Sequence, residues 1–436
     1  MTVLLYIFGV VIFVVGLAIS IGLHEFGHMI PAKKFGVRVP QWFIGFGPTL
    51  WSKQVGESEY GVKAFPLGGY VKILGMLPPS PGEDDDKIRK SNTGMFAQLI
   101  SDARSAEYEL VQPGDEDRLF YQIPWWKKVI VMAGGPTVNI LIAFFLFGGI
   151  FAFHGVVEAN TTVHSVSDCV IAVPIDATVS PKCTATDPVS PAKKAGLLPG
   201  DTITAFNGTT ITSYDQLQSL IRANKANAAS LTILRDGKQQ VLHTTTAVNS
   251  LPTLGTQDVK LIHAGFLGIT PAEHLVTHGP LYTVDQMGTY TWDTVTALGH
   301  MPVKLYGVAR TVLGLQTRDP SSPMSVVGAS RVAGEVVSDR AVSVGDRIAF
   351  FVSLLAGVNL FVGMFNFVPL LPLDGGHIAG ALYDGLRRGL AKLFRRPDPG
   401  HFDVAKLLPV AYVMAGALLL MTVLLVYADI VAPVAS

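Results

Sequence analysis

The sequence predicts a polytopic α-helical membrane protein with four membrane-spanning helices, a β-hairpin region after the first helix, and an outward-facing domain of mixed helices and strands. Hydrophobic residues make up 49% of the 436 residues and charged residues only 15%, against about 25% charged in ordinary soluble domains. The net charge of zero favours neither nucleic acid nor an acidic partner. Four uncharged runs exceed the roughly 20 residues that a spanning helix needs. These runs are Met1–Leu23, Val129–Phe153, Ile348–Leu373 and Leu407–Ala428.

The distribution of basic residues predicts the orientation. Residues 31–128 carry 13 Lys and Arg, residues 375–407 carry six, and the much longer stretch 154–347 carries 14. Short cytoplasmic loops are enriched in basic residues, whereas long loops cross the membrane largely regardless of charge. We therefore expect both termini and residues 154–347 on the extracytoplasmic side. The first run has no basic residue before Lys33, so we interpret it as a retained helix rather than a cleaved signal peptide.

These features predict nine segments. In chain order they are a spanning helix with a metal-binding motif (1–30), a cytoplasmic or membrane-re-entrant β region with a loop (31–128), a second spanning helix (129–153), an extracytoplasmic domain (154–278), an extracytoplasmic juxtamembrane helical region (279–347), a third spanning helix with a proline-containing motif (348–374), a cytoplasmic loop (375–406), a fourth spanning helix (407–428) and an extracytoplasmic tail (429–436).

The end of the first apolar run carries the motif His24-Glu25-Phe26-Gly27-His28. On a helix, the i, i+4 spacing puts both imidazoles on one face, which is typical of Zn²⁺ ligands. Glu25 then lies about 100° around the helix, within reach of a water at the metal as a general base. HExxH also occurs by chance in unrelated helices. Ionisable groups at membrane depth are usually functional, however, so the position favours a zinc hydrolase within the membrane.

A third ligand is expected from Asp374, which follows the interrupted apolar stretch Asn366–Leu373. Pro369 and Pro372 break a helix there and free backbone groups, which is tolerated at membrane depth only around a cavity or ligand. Two histidines and one carboxylate leave the fourth zinc position for water, as in catalytic sites. A turn or cap role for Asp374 remains the alternative, and His377 is a weaker candidate ligand. Asn366 could donate a hydrogen bond to the substrate or oxyanion, or to another helix.

Three separated motifs resemble the site-2 protease family of M50-type intramembrane zinc metalloproteases: HEFGH at 24–28, GGPTVN at 134–139 and NFVPLLPLDGG at 366–376. The segment SPMSVVG at 322–328 is most similar to the actinobacterial branch with one PDZ domain. The resemblance implies His24, His28 and Asp374 as ligands of one zinc, Glu25 as catalytic base and Asn366 as a substrate or transition-state contact. It also implies a bacterial plasma-membrane protein that cleaves anti-sigma factors in regulated intramembrane proteolysis.

Residues 37–75 are predicted to form strands and turns, because glycines punctuate apolar and aromatic positions there. Family likeness suggests a hairpin that dips into the membrane beside the active site, and a soluble cytoplasmic hairpin is the alternative. An edge strand could hold an unwound substrate by strand addition. Gly68, Gly69 and Tyr70 are the expected substrate-binding residues.

The outward domain resembles a PDZ domain in the order of its motifs, from the segment 192–203 to the strands near 231–234 and 240–244. Phe266, Leu267, Gly268 and Ile269 are the expected carboxylate-binding loop, whose amides would capture a chain end. A PDZ domain that only blocks access would look the same in sequence. Cys169 and Cys183 both lie in this domain, where oxidation is permitted, so we expect a disulfide between them.

Two classes of function remain open from the residues alone. One is an intramembrane endopeptidase with zinc, single-span membrane protein substrates and no nucleic-acid partner. The other is a non-catalytic membrane binding module or a transporter whose polar residues line an ion path, since transporters also use broken helices at membrane depth. A transporter has no evident use for the HExxH glutamate, so the endopeptidase is favoured.

Overall fold

The fold is described from a computed structural model, for residues 2–78, 100–102, 104–105, 109, 111–171, 183–184, 186–253, 261–319 and 321–434. Its helices are α1 (Thr2–Lys34), α2 (Trp125–Gly149), α3 (Pro191–Ala195), α4 (Tyr214–Asn224), α5 (Pro280–Val312), α6 (Val326–Ser338), α7 (Val344–Asn366), α8 (Asp374–Leu393) and α9 (Leu408–Val431). Its strands are β1 (Gln41–Val55), β2 (Ser58–Lys72), β3 (Val156–Val166), β4 (Thr202–Phe206), β5 (Thr209–Thr210), β6 (Ala228–Arg235), β7 (Lys238–Thr245), β8 (Ala247–Pro252), β9 (Leu261–Phe266) and β10 (Ile269–Val276).

The chain forms two compact units. The first comprises Met1–His154 and His278–Ser436, and the second comprises Gly155–Thr277. Within the described residues of the first unit, four helices are long and apolar enough to cross a membrane: α1, α2 with the π turn Ile150–His154 that extends it, α7, and α9 with the turn before it. The protein is therefore a multi-pass membrane protein.

The helices extend beyond the uncharged runs that predicted them. α2 begins at Trp125, four residues before the second run. The run starts later than the helix because Lys127 and Lys128, in the first turns of the helix, are charged. α7 begins at Val344 rather than Ile348, and the Ser343 hydroxyl caps it by accepting a 3.1 Å hydrogen bond from the Asp346 amide. Charged residues are compatible with the ends of a spanning helix, so a search for uncharged runs misses those ends.

The third predicted segment is not one helix. α7 ends at Asn366, a non-helical stretch follows, and Asp374 begins a separate helix, α8. Pro369 and Pro372 explain the interruption, because proline lacks an amide hydrogen and restricts the residue before it. The predicted segment 348–374 is thus wrong at both ends, and Asp374 opens the following helix.

Residues 37–75 contain the hairpin formed by β1 and β2. The residues Gln41–Ile44 have partners on both sides, Glu59–Val62 and Gly69–Lys72, so they are interior to the small sheet. Among the described residues, Gly69–Lys72 pair only with Gln41–Ile44. This final part of β2 is therefore an edge, and β2 packs against α1.

The second unit is built on a sheet with the strand order β10-β3-β4-β6-β7, with β5 paired to β4, and a separate β8–β9 pair. Its core includes Ile203, Leu231 and Leu217 of α4. The buried carboxylate of Asp201 accepts two 2.7 Å hydrogen bonds from the Arg235 guanidinium. This cation holds the pKa of Asp201 below its ordinary value.

A buried ion pair joins the end of α9 to the segment between α5 and α6. Arg318 Nη2 lies 2.7 Å from Asp429 Oδ1, and both side chains are at most 3% exposed. The other oxygen of Asp429 accepts hydrogen bonds from the amide and hydroxyl of Ser325, each 2.6 Å long. Ser325 caps α6 and belongs to the SPMSVVG motif. The motif therefore connects two helices of the first unit.

We predict that Asp429→Ala lowers the free energy of unfolding by about 3–5 kcal/mol, because it leaves the buried Arg318 cation without its partner. The control is Arg331→Ala, which breaks an i, i+4 pair with Glu335 whose arginine side chain is 37% exposed. That pair is worth about 0.5 kcal/mol or less. Unfolding of the detergent-solubilised protein would be measured for both variants. Equal losses would show that the Arg318–Asp429 pair has no special role.

Candidate metal centre

Three side chains from two helices converge on one point within the first unit. His24 and His28 project from one face of α1, and Asp374 is the first residue of α8. His24 Nε2 lies 3.2 Å from His28 Nε2, and Asp374 Oδ2 lies 3.3 Å from the former and 3.4 Å from the latter. The i, i+4 spacing that the motif predicted therefore places both rings beside the carboxylate of a residue 346 positions after His28.

The dimensions of this triangle fit a zinc ion. Zinc lies about 2.0–2.1 Å from imidazole nitrogen and about 2.0–2.2 Å from carboxylate oxygen, so the edges of a tetrahedral site are about 3.3–3.5 Å. The three donor atoms form a nearly equilateral triangle with edges of 3.2–3.4 Å, within about 0.1 Å of these values. One face of a tetrahedron is thus present, and a fourth position is available for water or substrate. Nitrogen and oxygen donors of this kind suit Zn²⁺.

One histidine has its orientation fixed by the backbone of α2. His28 Nδ1 donates a 2.9 Å hydrogen bond to the carbonyl oxygen of Val131, so its Nε2 carries the lone pair. His24 is also buried, but its Nδ1 has no hydrogen-bond partner among the described residues. The ring of His24 thus lacks the hydrogen bond that normally orients a metal-binding histidine.

Glycines allow α1 and α2 to cross at the histidines. A Cβ atom at Gly134 would lie 1.9 Å from the carbonyl oxygen of Gly27, and one at Gly135 would lie 2.2 Å from His28 Nε2 and 2.8 Å from His24 Nε2. No residue larger than glycine fits at either position. The GGPTVN motif entered the sequence argument only through family resemblance, and this contact gives its glycines a physical role. A pair of glycines in an apolar run was the available signal, because close helix packing in membranes uses small residues.

Glu25 lies between the two histidines in sequence but is not part of the triangle. Its carboxylate is close enough to interact with the charges of His24, His28 and Asp374, and it accepts a hydrogen bond from the Val71 amide of β2. A Cβ at Gly69 would lie 3.3 Å from Glu25 Cγ. The edge of the hairpin sheet therefore lies directly against the predicted catalytic base.

The other predicted substrate-binding residues of the hairpin lie at the same edge. Gly68 has φ of +137°, a conformation that favours glycine, at the bend that precedes the edge segment. The Tyr70 ring stacks on Phe43, with ring centroids 5.5 Å apart. Gly68 and Tyr70 thus shape the segment, whereas the missing side chain of Gly69 leaves space beside Glu25.

Asn366 and His377 lie outside the triangle. Asn366 is the last residue of α7, and its side chain forms no hydrogen bond within the described part of the chain. His377 follows Asp374 by three residues on α8 and lines a small solvent-open cleft together with Lys128 and Asp384. Among the described residues, the group with metal-ligand geometry consists of His24, His28 and Asp374.

The predicted loop of the second unit lies between β9 and β10. Leu267 is buried in the core, and Gly268 has φ of +90°. The carbonyl groups of Leu267 and Gly268 accept hydrogen bonds from the amides of Ala192 and Ser167. The other two loop residues, Phe266 and Ile269, end β9 and begin β10. A disulfide joins Cys169 and Cys183 in the same unit.

Comparison with known proteins identifies the family. The model of peptidase family M50 matches residues 12–395. This chain belongs to peptidase family M50. It is 31% identical to the zinc metalloprotease Rip1 of Mycobacterium tuberculosis (strain Erdman), over 99% of each chain, and 30% identical to Rip1 of Mycolicibacterium smegmatis, over 98% of each. A putative zinc metalloprotease of Brucella suis is 27% identical over 83% of this chain and 82% of its own.

Membership in this family decides between the two functional classes. As a member of family M50, this protein is a zinc-dependent intramembrane metalloendopeptidase, and its cofactor is Zn²⁺. The favoured class, the endopeptidase, is confirmed, and the alternative of a non-catalytic binding module or transporter is excluded.

We predict that Gly135→Ala lowers zinc content and reduces proteolytic activity by about 100-fold or more, because the new methyl group displaces both imidazoles. The matched control is Gly149→Ala on the same helix, where a Cβ meets nothing within 4 Å. Metal analysis and cleavage of a membrane substrate would be measured for both variants. A Gly135→Ala protein with normal zinc and normal activity would contradict the close helix crossing.

Proposed function

We propose that His24, His28 and Asp374 hold the catalytic zinc and that Glu25 is the general base in the cleavage of single-span membrane proteins. The observation that carries this proposal is the donor triangle with edges of 3.2–3.4 Å beside a carboxylate that is not part of it. HExxH helices use the glutamate in this way in zinc proteases.

The chemistry follows from these positions. Bound zinc supplies Lewis-acid activation of the peptide carbonyl and of water. Glu25 takes a proton from the attacking water and delivers it to the amine that leaves as the peptide bond breaks. The hydroxyl is added to the carbonyl carbon, so the products are a carboxylate and an amine. Asn366 at the end of α7 is proposed to donate a hydrogen bond to the substrate backbone or the oxyanion.

The edge formed by Gly69–Lys72 is proposed to hold the substrate. A membrane-spanning helix hides its peptide groups in internal hydrogen bonds, so a protease must unwind it before cleavage. An unwound segment can regain backbone hydrogen bonds by pairing with the free side of a strand. The hydrogen bond from the Val71 amide to Glu25 supports this site, because a strand added at this edge would lie next to the proposed catalytic base.

The distribution of basic residues supports an active site near the cytoplasmic face. The bacterial plasma membrane is proposed from the family resemblance. In this orientation, α1 runs inward and His24 and His28 lie toward its cytoplasmic end. Cleavage then releases a fragment into the cytoplasm, as a signalling protease requires. Anti-sigma factors, which the family resemblance implies, are the proposed substrates.

The second unit is proposed to be an extracytoplasmic PDZ-like domain. The six-stranded sheet, the helix α4 and the loop before β10 support this assignment. The amides of Leu267 and Gly268 donate no hydrogen bond to the described residues, so they are available to a carboxylate at a chain end. A domain of this size in the outward segment should also keep substrates with large ectodomains from the active site, so that another protease must trim them first.

The replacement Glu25→Gln tests the catalytic role. We expect zinc binding and folding to be unchanged and cleavage to fall by about 10²–10⁴-fold, because the amide cannot accept the proton. The zinc content per chain, expected to be one, would be measured together with cleavage of a single-span substrate in detergent or liposomes. A Glu25→Gln protein that cleaves at the wild-type rate would show that another group is the base.

Removal of residues 160–270 tests whether the second unit excludes substrates with large ectodomains. The deletion leaves Ala159 paired with Glu273, and Pro271 and Ala272 become a two-residue loop between the remaining ends of β3 and β10. We expect the shortened enzyme to cleave an untrimmed substrate that the full-length enzyme rejects, while both cleave the trimmed form. The shortened enzyme carrying Glu25→Gln is the control for contaminating proteases. Equal discrimination by both enzymes would exclude a gate and leave a docking role for the domain.

A further inference from the structure

Two buried polar atoms without partners lie on the neighbouring helices α1 and α2. One is Nδ1 of His24 on α1, and the other is Oδ1 of Asn139 on α2; neither has a hydrogen-bond partner among the described residues. Asn139 is only 2% exposed. Buried polar groups in proteins are nearly always hydrogen-bonded, so two such atoms in one region require an explanation.

The helix geometry brings these two side chains toward each other. Asn139 follows Gly135 by four residues, so both lie on the same face of α2. At Gly135 this face meets the two histidine rings. In the proposed orientation α1 and α2 run in opposite directions across the membrane, and helical side chains tilt toward the N-terminus of their own helix. The side chain of His24 therefore tilts outward, and that of Asn139 tilts inward, toward the level of His24.

The chemistry of the two atoms is complementary. When Nε2 of His24 is the metal donor, Nδ1 carries the proton and needs an acceptor. His28 already has such an acceptor in the Val131 carbonyl, also on α2. The amide oxygen of Asn139 is an acceptor, and its own hydrogen-bonding capacity is unused.

A second asparagine in the same layer is a poorer candidate. Asn359 on α7 donates hydrogen bonds from Nδ2 to Ser20 Oγ at 3.1 Å and to the Leu355 carbonyl at 2.8 Å. These contacts hold its amide in place. α7 is proposed to run in the same direction as α1, so the side chain of Asn359 tilts outward, away from the histidines. Its oxygen is unpartnered, but the amide is not free to turn toward His24.

We propose that Asn139 is a positioning residue whose Oδ1 accepts the Nδ1–H of His24 and so fixes that ring with Nε2 toward the metal. The hydrogen bond forms by rotation of the Asn139 side chain or through one bridging water. This role rests on the proposed assignment of His24 as a zinc ligand. It gives the asparagine of the GGPTVN motif a function distinct from the packing role of its glycines.

Zinc affinity of the purified, detergent-solubilised protein tests the role. The apoprotein would be titrated with Zn²⁺ in competition with a chromophoric chelator, and its thermal unfolding would be measured separately. We expect Asn139→Leu to weaken zinc binding by about 10–100-fold, the usual effect of losing a partner behind a metal ligand. Asn139→Asp keeps an acceptor of the same shape and should restore affinity close to that of the wild type.

The matched control is Asn359→Leu, the same substitution at a buried amide in the same layer but on α7. It should lower the stability of the apoprotein without changing zinc affinity. Ser20→Ala tests the hydroxyl one turn before His24 as the alternative acceptor. If Asn139→Leu does not fold, Asn139→Ala removes the same acceptor without adding bulk.

The results separate the possible explanations. Wild-type zinc affinity in the folded Asn139→Leu or Asn139→Ala protein would overturn the inference, as would equal losses in the Asn139 and Asn359 variants or a loss in Ser20→Ala alone. His24→Ala distinguishes the inference from the function on which it rests. Retention of zinc by His24→Ala would refute the proposed ligand set, whereas loss of zinc there with normal affinity in Asn139→Leu would refute only the positioning role.

Discussion

The metal centre depends on the close approach of α1 and α2 at three glycines. The backbone of Gly27 contacts that of Gly134, and Gly135 leaves the space that the two imidazoles occupy. In a membrane, helices gain little from hydrophobic burial, so contact at small residues and hydrogen bonds must hold them together. The same crossing brings the Val131 carbonyl to His28. Helix association and ligand orientation therefore arise from one contact.

The position of the third donor, Asp374, depends on the non-helical stretch between α7 and α8. The prolines end the spanning helix, and Asp374 then occupies the first position of a new helix, where the positive end of the helix dipole favours a carboxylate. Gly375 and Gly376 are confined against the backbone of the break, since a Cβ at Gly375 would lie 2.2 Å from the Val368 carbonyl oxygen. The carboxylate is thus positioned by a compact turn rather than by a long helix, which suits a ligand that must meet two fixed histidines.

Several buried polar groups of the first unit lie near this point. Ser20 and Asn359 connect α1 to α7 one turn before His24, and the Val71 amide connects β2 to Glu25. In an apolar medium each such group needs an internal partner, so the groups accumulate where the helices already meet. The Gly69–Lys72 edge lies in the same region, and among the described residues it has a strand partner on one side only. A protease that cleaves within a membrane needs both polar groups and a strand edge at its active site, because its substrate must exchange helical hydrogen bonds for new ones.

The sequence by itself determined the membrane class, the HExxH donors, the break that precedes Asp374 and the strand character of residues 37–75, because each depends on local hydrophobicity, spacing or proline. It could not give the true ends of α2 and α7, since charged residues at helix ends look like loops. It also gave no physical role to Gly134 or Gly135, whose lack of a side chain matters only because α1 and α2 meet there. Only the tertiary structure decided these points, because a helix end or a glycine acquires its role from the atoms that other segments bring within a few ångströms.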